Sequence, residues 1–99
     1  MQKTHRAHDE ATTDMFRNDP ALAADYLNDV LATGDEVDLM LALRALSKAF
    51  GGVPEIARRA DAHPNTMYRT LSKQGNPSLK TLRAILNVMG LRLAVQSIQ

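Results

Sequence analysis

The sequence predicts an all-α domain of five helices followed by a short C-terminal β-strand that pairs two copies. Three observations carry this expectation. Apolar residues recur at three- and four-residue steps through most of the 99 residues, and the runs are bounded by Pro, Asp or Ser at their starts and Gly at their ends. After Gly90 the period changes from helical to alternating. With 44% apolar residues, the chain makes one compact domain with a modest core.

Residues 1–17 are polar and lack a sustained apolar period, so they read as a mobile tail with at most transient helix around Met15 and Phe16. Residues 18–90 form the folded unit. Asp19 caps the first helix and Pro20 suits its first position, where a missing N–H costs nothing; Leu22, Ala23, Tyr26, Leu27, Val30 and Leu31 form its apolar face, and Gly34 stops it. Asp35 caps the second helix, Glu36 and Asp38 favour its positive end, and Leu39, Leu43, Leu46 and Phe50 make an inward stripe ending at Gly51-Gly52. Pro54 begins a short third helix and Pro64 a fourth. Gly75-Asn76-Pro77 breaks the chain, and Ser78 caps a fifth helix with Leu79, Leu82, Ile85, Leu86 and Met89 inward. Residues 91–99 carry the strand, with Leu91, Leu93 and Val95 on one face. A lone strand needs a backbone partner, and the same segment of a second copy supplies one, giving a two-fold antiparallel homodimer.

The stretch from Pro54 to Leu71 reads as a helix-turn-helix. Ala57 and Ala60 admit a close second helix, Ile56 and Met67 fix the crossing, and Asp61-Ala62-His63 forms the turn. Asp61 stands where a left-handed residue is expected, a conformation Asp tolerates better than most. His63 occupies the capping position, where Ser or Thr is the better cap. The fourth helix then presents Pro64, Asn65, Thr66 and Arg69 as candidate base readers in a DNA major groove. Asn pairs bidentately with adenine and Arg with guanine, and a Thr methyl meets thymine. Tyr68, Lys73, Ser78 and Lys80 are candidate phosphate contacts, the last three around a helix start where free N–H groups and positive charge favour anions.

Charge supports this placement. Residues 1–52 carry five Lys/Arg against nine acids, a net charge of −4; residues 53–99 carry seven against two, a net charge of +5. The basic half suits phosphate and the acidic half a basic protein partner. The absence of cysteine excludes disulfides, thiolate metal sites and cysteine nucleophiles. His5, His8, Asp9 and Glu10 hold the elements of a metal site without fixed geometry, so no metal or cofactor is expected, and nothing points to an enzyme. No run of about 18 apolar residues and no signal-peptide pattern occurs, which predicts a cytoplasmic protein away from membranes.

The chain resembles the small addiction module antidote proteins, HigA-like antitoxins with a lambda-repressor-type helix-turn-helix. The likeness spans about residues 19–96. It is strongest through Ile56-Ala57-Arg58, Met67-Tyr68-Arg69, Leu71-Ser72, Gly75-Asn76-Pro77, Thr81-Leu82 and Met89-Gly90-Leu91, and includes Asp25-Tyr26-Leu27-Asn28. Asp61 replaces the usual glycine, and His63-Pro64 departs from the usual start of the recognition helix. The resemblance implies a five-helix lambda-repressor-like fold and a dimeric repressor of its own operon. It also implies an antitoxin that neutralises a RelE-type toxin, typically an mRNA-cleaving ribonuclease. The toxin contact would fall on Leu22, Asp25, Tyr26 and Asp29 in the acidic half. Two rival readings are a helical protein-interaction module without DNA binding and a prophage-type repressor without a toxin partner.

Overall fold

The computed structural model describes residues 14–99, and among these it is helical with no strand. From Pro20 onward the elements are α1 (Pro20–Thr33), α2 (Glu36–Ser47), a 3-10 turn (Lys48–Phe50), α3 (Val53–Arg59), α4 (Pro64–Thr70) and α5 (Leu79–Val88). Residues 14–17, read from the sequence as the end of the tail, belong to a helical segment at 14–18 docked on the domain. Phe16 meets Tyr26 with ring centroids 5.3 Å apart, and Arg17 Nε donates to the Ala49 carbonyl at 2.8 Å. One contact to α1 and one to the 3-10 turn therefore hold this segment. The metal elements His5 and His8 lie outside the described residues.

The capping residues act as the sequence implies. The Asp19 carboxylate accepts from Leu22 N at 3.3 Å, with Pro20 in the first turn. Asp35 and Asp38 form a reciprocal capping box, at 2.9 Å and 3.0 Å, and Ser78 Oγ accepts from Thr81 N at 3.1 Å. Left-handed residues end three segments. At Gly51, Asp61 (φ +58°) and Gly90 (φ +76°), the following N–H reaches back to the carbonyl five residues earlier: Gly52 to Ser47, Ala62 to Ala57, and Leu91 to Leu86, all at 2.8 Å. Each is a Schellman end that satisfies carbonyls the helix leaves open.

The core is one cluster. Ala23 and Leu27 of α1, Met40, Leu43 and Leu46 of α2, Ile56 and Ala57 of α3, Met67 of α4, and Ile85, Leu86 and Met89 at α5 are all buried. Ser47 is buried too, its hydroxyl donating to Leu43 O at 2.8 Å, so the core holds no orphaned side-chain polar atom among the described residues. Two expected inward residues point out. Leu79, the first residue of α5, is 65% exposed, and Leu31 is 57% exposed on the last turn of α1. Phe50 lies in the 3-10 turn and is half-buried.

The expected strand over Leu91, Leu93 and Val95 is not formed in the single chain, where residues 91–99 have no strand partner. Leu91 is half-buried, Leu93 is 41% exposed, and Val95 and Ile98 are both 99% exposed. The segment runs beside α1, leaving an open groove of about 440 Å³ lined by Ala24, Leu27, Asn28 and Leu31 on one wall and residues 90–94 with Gln96 on the other.

Candidate nucleic-acid interface

A seven-residue helix is too short to hold itself in water, so the position of α4 must come from what it buries. Met67, on its inner face, is 1% exposed, and Leu71 just beyond is fully buried. These side chains pack in one cluster with Ile56 and Ala57 of α3. The turn between the helices leaves Asp61 left-handed, as expected, and ends with His63 as the N-cap of α4. His63 Nδ1 accepts from Asn65 N at 3.1 Å, so the imidazole serves as a cap in its Nδ1-unprotonated form. The Thr70 hydroxyl donates to Thr66 O at 2.8 Å, which disposes of a polar group beside the core.

With Met67 inward, Pro64, Asn65, Thr66 and Arg69 are all exposed. Asn65 and Arg69 stand one turn apart on one face, with Thr66 beside them. None of these three side chains hydrogen-bonds another side chain among the described residues, which leaves their polar ends open to a ligand. Tyr68 lies on the flank, 40% exposed, and the Arg44 guanidinium of α2 sits 5.3 Å from its ring centroid. The tyrosine therefore packs in part on a neighbouring helix.

The remaining candidates differ in how free they are. Lys73 and Lys80 are exposed, the first in the turn after α4 and the second in the first turn of α5. Ser78 is committed as a cap: its hydroxyl accepts from Thr81 N and donates to Thr81 Oγ1 at 3.0 Å. Its part in anion binding would fall to the backbone N–H groups it helps to order. Arg83 lies one turn after Lys80, and the two line one shallow depression with Leu79, Ala84 and Asn87. Sequence reasoning missed Arg83, although its spacing from Lys80 was a usable signal. It also missed Arg44, whose position in the acidic half gave no signal.

One ion pair fixes charge beside the motif. Arg58 Nε and an Arg58 terminal nitrogen donate to the two Glu55 carboxylate oxygens at 2.8 and 2.6 Å, a fork-to-fork geometry. The hydrogen bonds from Arg58 hold the Glu55 carboxyl below its ordinary range, and the same bonds raise the Arg58 guanidinium. Glu55 is thus neutralised locally, and Arg59 beside it adds to the positive balance of this half.

On α1, Leu22, Asp25, Tyr26 and Asp29 fall on one face by their spacing. Asp25 and Asp29 are exposed, Leu22 is half-buried, and Tyr26 is half-buried beneath Phe16. The tyrosine ring is largely used in packing the helical segment at 14–18. The described residues contain no cluster of three or more His, Cys, Asp or Glu able to hold a metal ion, and no helix there is long and apolar enough to cross a membrane.

A family model described as "Probable addiction module antidote protein" matches residues 8–97. No curated protein and no solved structure matches the chain.

Proposed function

The chain belongs to the family of probable addiction module antidote proteins, and from that premise we propose that it represses its own operon by binding DNA while neutralising a RelE-type toxin. Membership makes it an antitoxin of a toxin–antitoxin module, a regulatory role with a toxin as partner. The observation that carries the DNA reading is the outer face of α4. Asn65, Thr66 and Arg69 are exposed there, over buried Met67, in the half of the chain that carries a net charge of +5.

In this reading α3 and α4 form a helix-turn-helix of the lambda-repressor type within a DNA-binding unit of residues 18–90. Asn65, Thr66 and Arg69 read base edges with Pro64 at the groove, and Tyr68, Lys73, Lys80 and the N–H groups after Ser78 hold phosphates. Leu91, Leu93 and Val95 pair with the same residues of a second copy, which removes exposed Val95 and Leu93 from water. The two α4 helices then meet successive major-groove faces about 34 Å apart. The acidic face of α1, with Asp25 and Asp29, takes the basic toxin.

A mobility-shift titration tests the proposal, using duplex DNA from upstream of the coding sequence at two salt concentrations. Phosphate neutralisation requires affinity to fall steeply with salt. Binding that is absent, or indifferent to salt, leaves a protein-interaction module as the reading. Charge reversal at Asp25 and Asp29 tests the toxin face, and undiminished toxin affinity removes it.

A further inference from the structure

We propose that Arg44 is a phosphate-binding residue of the DNA face, held in place by the Tyr68 ring, so that the interface extends from α4 onto α2. The inference rests on the DNA-binding reading above and adds a residue from the acidic half of the chain. Its basis is the guanidinium of Arg44 lying 5.3 Å from the Tyr68 ring centroid.

The geometry leaves the charge available. A ring contact engages the charge of the guanidinium without consuming its five N–H donors, which stay available to a phosphate. Arg44 is exposed, and among the described residues it takes part in no ion pair or side-chain hydrogen bond. The acids of its own helix, Glu36 and Asp38, lie in the first turn, whereas Arg44 lies in the last. At 1.5 Å per residue, Asp38 is about 9 Å away along the axis. One turn either side of Arg44 stand Met40, Leu41, Ser47 and Lys48, none acidic. On α4 the residues around Tyr68 are Asn65 and Arg69, also without a carboxylate. An arginine held on a ring, with no carboxylate one turn away on α2 or beside Tyr68 on α4, is ready for an external anion.

Placement gives the anion its identity. Tyr68 follows Met67 on α4 and lies on the opposite flank from Thr66 and Thr70, next to the Asn65–Arg69 face. With that face in the major groove, Tyr68 and Arg44 meet the phosphate backbone along one wall. A purely structural role is the competing account, in which Arg44 complements the C-terminal end of α2 and ties α4 to it.

Salt dependence separates the two. The dimeric protein and its Arg44→Ala variant are titrated with upstream duplex and with a random duplex of equal length, across a fourfold range of salt. Losing one phosphate contact per protomer lowers the slope of log affinity against log salt by about 1.8 for the dimer, so the variant loses about 12-fold less affinity over that range. The reduction is the same on both duplexes, and Arg44→Lys, which keeps the charge, retains the wild-type slope. Arg44→Gln serves in the same way if thermal melting finds the alanine variant unfolded. A wild-type slope in the variant overturns the assignment, even with weakened affinity, because that loss would come from displacement of α4. An Arg44→Lys slope matching that of alanine also overturns it. Wild-type protein that binds neither duplex overturns the DNA-binding reading itself, which distinguishes the two failures.

Discussion

Gly75 closes the turn after α4, and replacing it with alanine tests whether that turn determines where the helix ends. A methyl group on Gly75 would overlap the Thr70 carbonyl and stand 2.9 Å from the Arg69 carbonyl oxygen. Both obstacles are backbone at the C-terminal end of α4, so no side chain can swing aside. The turn has little slack of its own, since Gly75 N donates to Ser72 O at 2.9 Å and the Ser72 hydroxyl to Arg69 O at 2.7 Å. Overpacking costs about 1–3 kcal/mol where side chains can adjust, and a backbone obstacle places this variant near 3 kcal/mol. In a domain of this size each kcal/mol moves the melting temperature by about 4–8 °C, so Gly75→Ala should melt about 12–24 °C lower. Gly90→Ala is the companion. Its methyl group would meet nothing within 4 Å, and its cost comes only from φ +76°, about 1–2 kcal/mol. Circular dichroism melting at fixed protein concentration reads both. A Gly75→Ala protein melting within a few degrees of wild type, or above Gly90→Ala, refutes the steric argument.

The remaining predictions concern the interface, the turn and the tail. Arg69→Ala should cost about 1–3 kcal/mol of operator binding and relax preference at one base pair, whereas Lys73→Ala weakens operator and random DNA alike; competition binding on single-base operator variants tells them apart. Asp61→Gly should raise stability by up to about 1 kcal/mol in chemical unfolding, since glycine takes φ +58° without Cβ crowding. Aspartate at both Leu93 and Val95 should shift the protein to monomer in sedimentation, and the same variant should bind operator far more weakly than wild type. Glu55 supplies a pH signature. Its carboxyl is lowered by Arg58, so the pair stabilises the fold above the unfolded carboxylate range and loses that contribution as pH falls through the folded value. Melting curves of wild type and Glu55→Gln should therefore converge at acid pH, with a gap at neutral pH that narrows in high salt.

Most of the helical frame was legible because it is written in local chemistry. Asp19, Asp35 and Ser78 carry side chains that accept from backbone N–H groups three residues on, and that geometry needs no knowledge of the rest of the chain. Period, prolines and caps therefore show the chain to be mostly helical, while the helical segment at 14–18 reads as tail. What failed to show depends on distant neighbours. Leu79 has the spacing of a core residue, but it is the first residue of α5 and is left exposed while Leu82, in the same turn, packs on the core; Leu31 faces a groove whose other wall is the C-terminal segment. Residues 14–17 look like a solvated tail until Phe16 finds Tyr26 and Arg17 finds Ala49, a contact 32 residues away. The candidate site divides in the same way. Exposure of Asn65, Thr66 and Arg69 follows from Met67 being inward, a purely helical inference, whereas the Arg44–Tyr68 pair joins two helices and two regions of opposite charge.

The same distinction governs how α4 could work. Seven residues gain too few internal hydrogen bonds to offset the cost of ordering them, so α3 and α4 exist because Ile56, Ala57, Met67 and Leu71 are buried together and because their ends are closed. Three of their four ends carry closing hydrogen bonds, and the start of α3 has no side-chain cap. Ala62 and Asp61 return hydrogen bonds to α3, His63 caps α4 from the front, and Leu71 N donates back to Met67 O at 3.0 Å. Any surface presented by Asn65, Thr66 and Arg69 is therefore only as ordered as the buried face beneath it. A change at Met67 that never approaches a ligand would blur all three positions at once, while a change at Arg69 leaves the other two where they are. In a short helix, whatever the outer side chains present depends on the inner ones, whose packing sets the precision with which the outer ones are held.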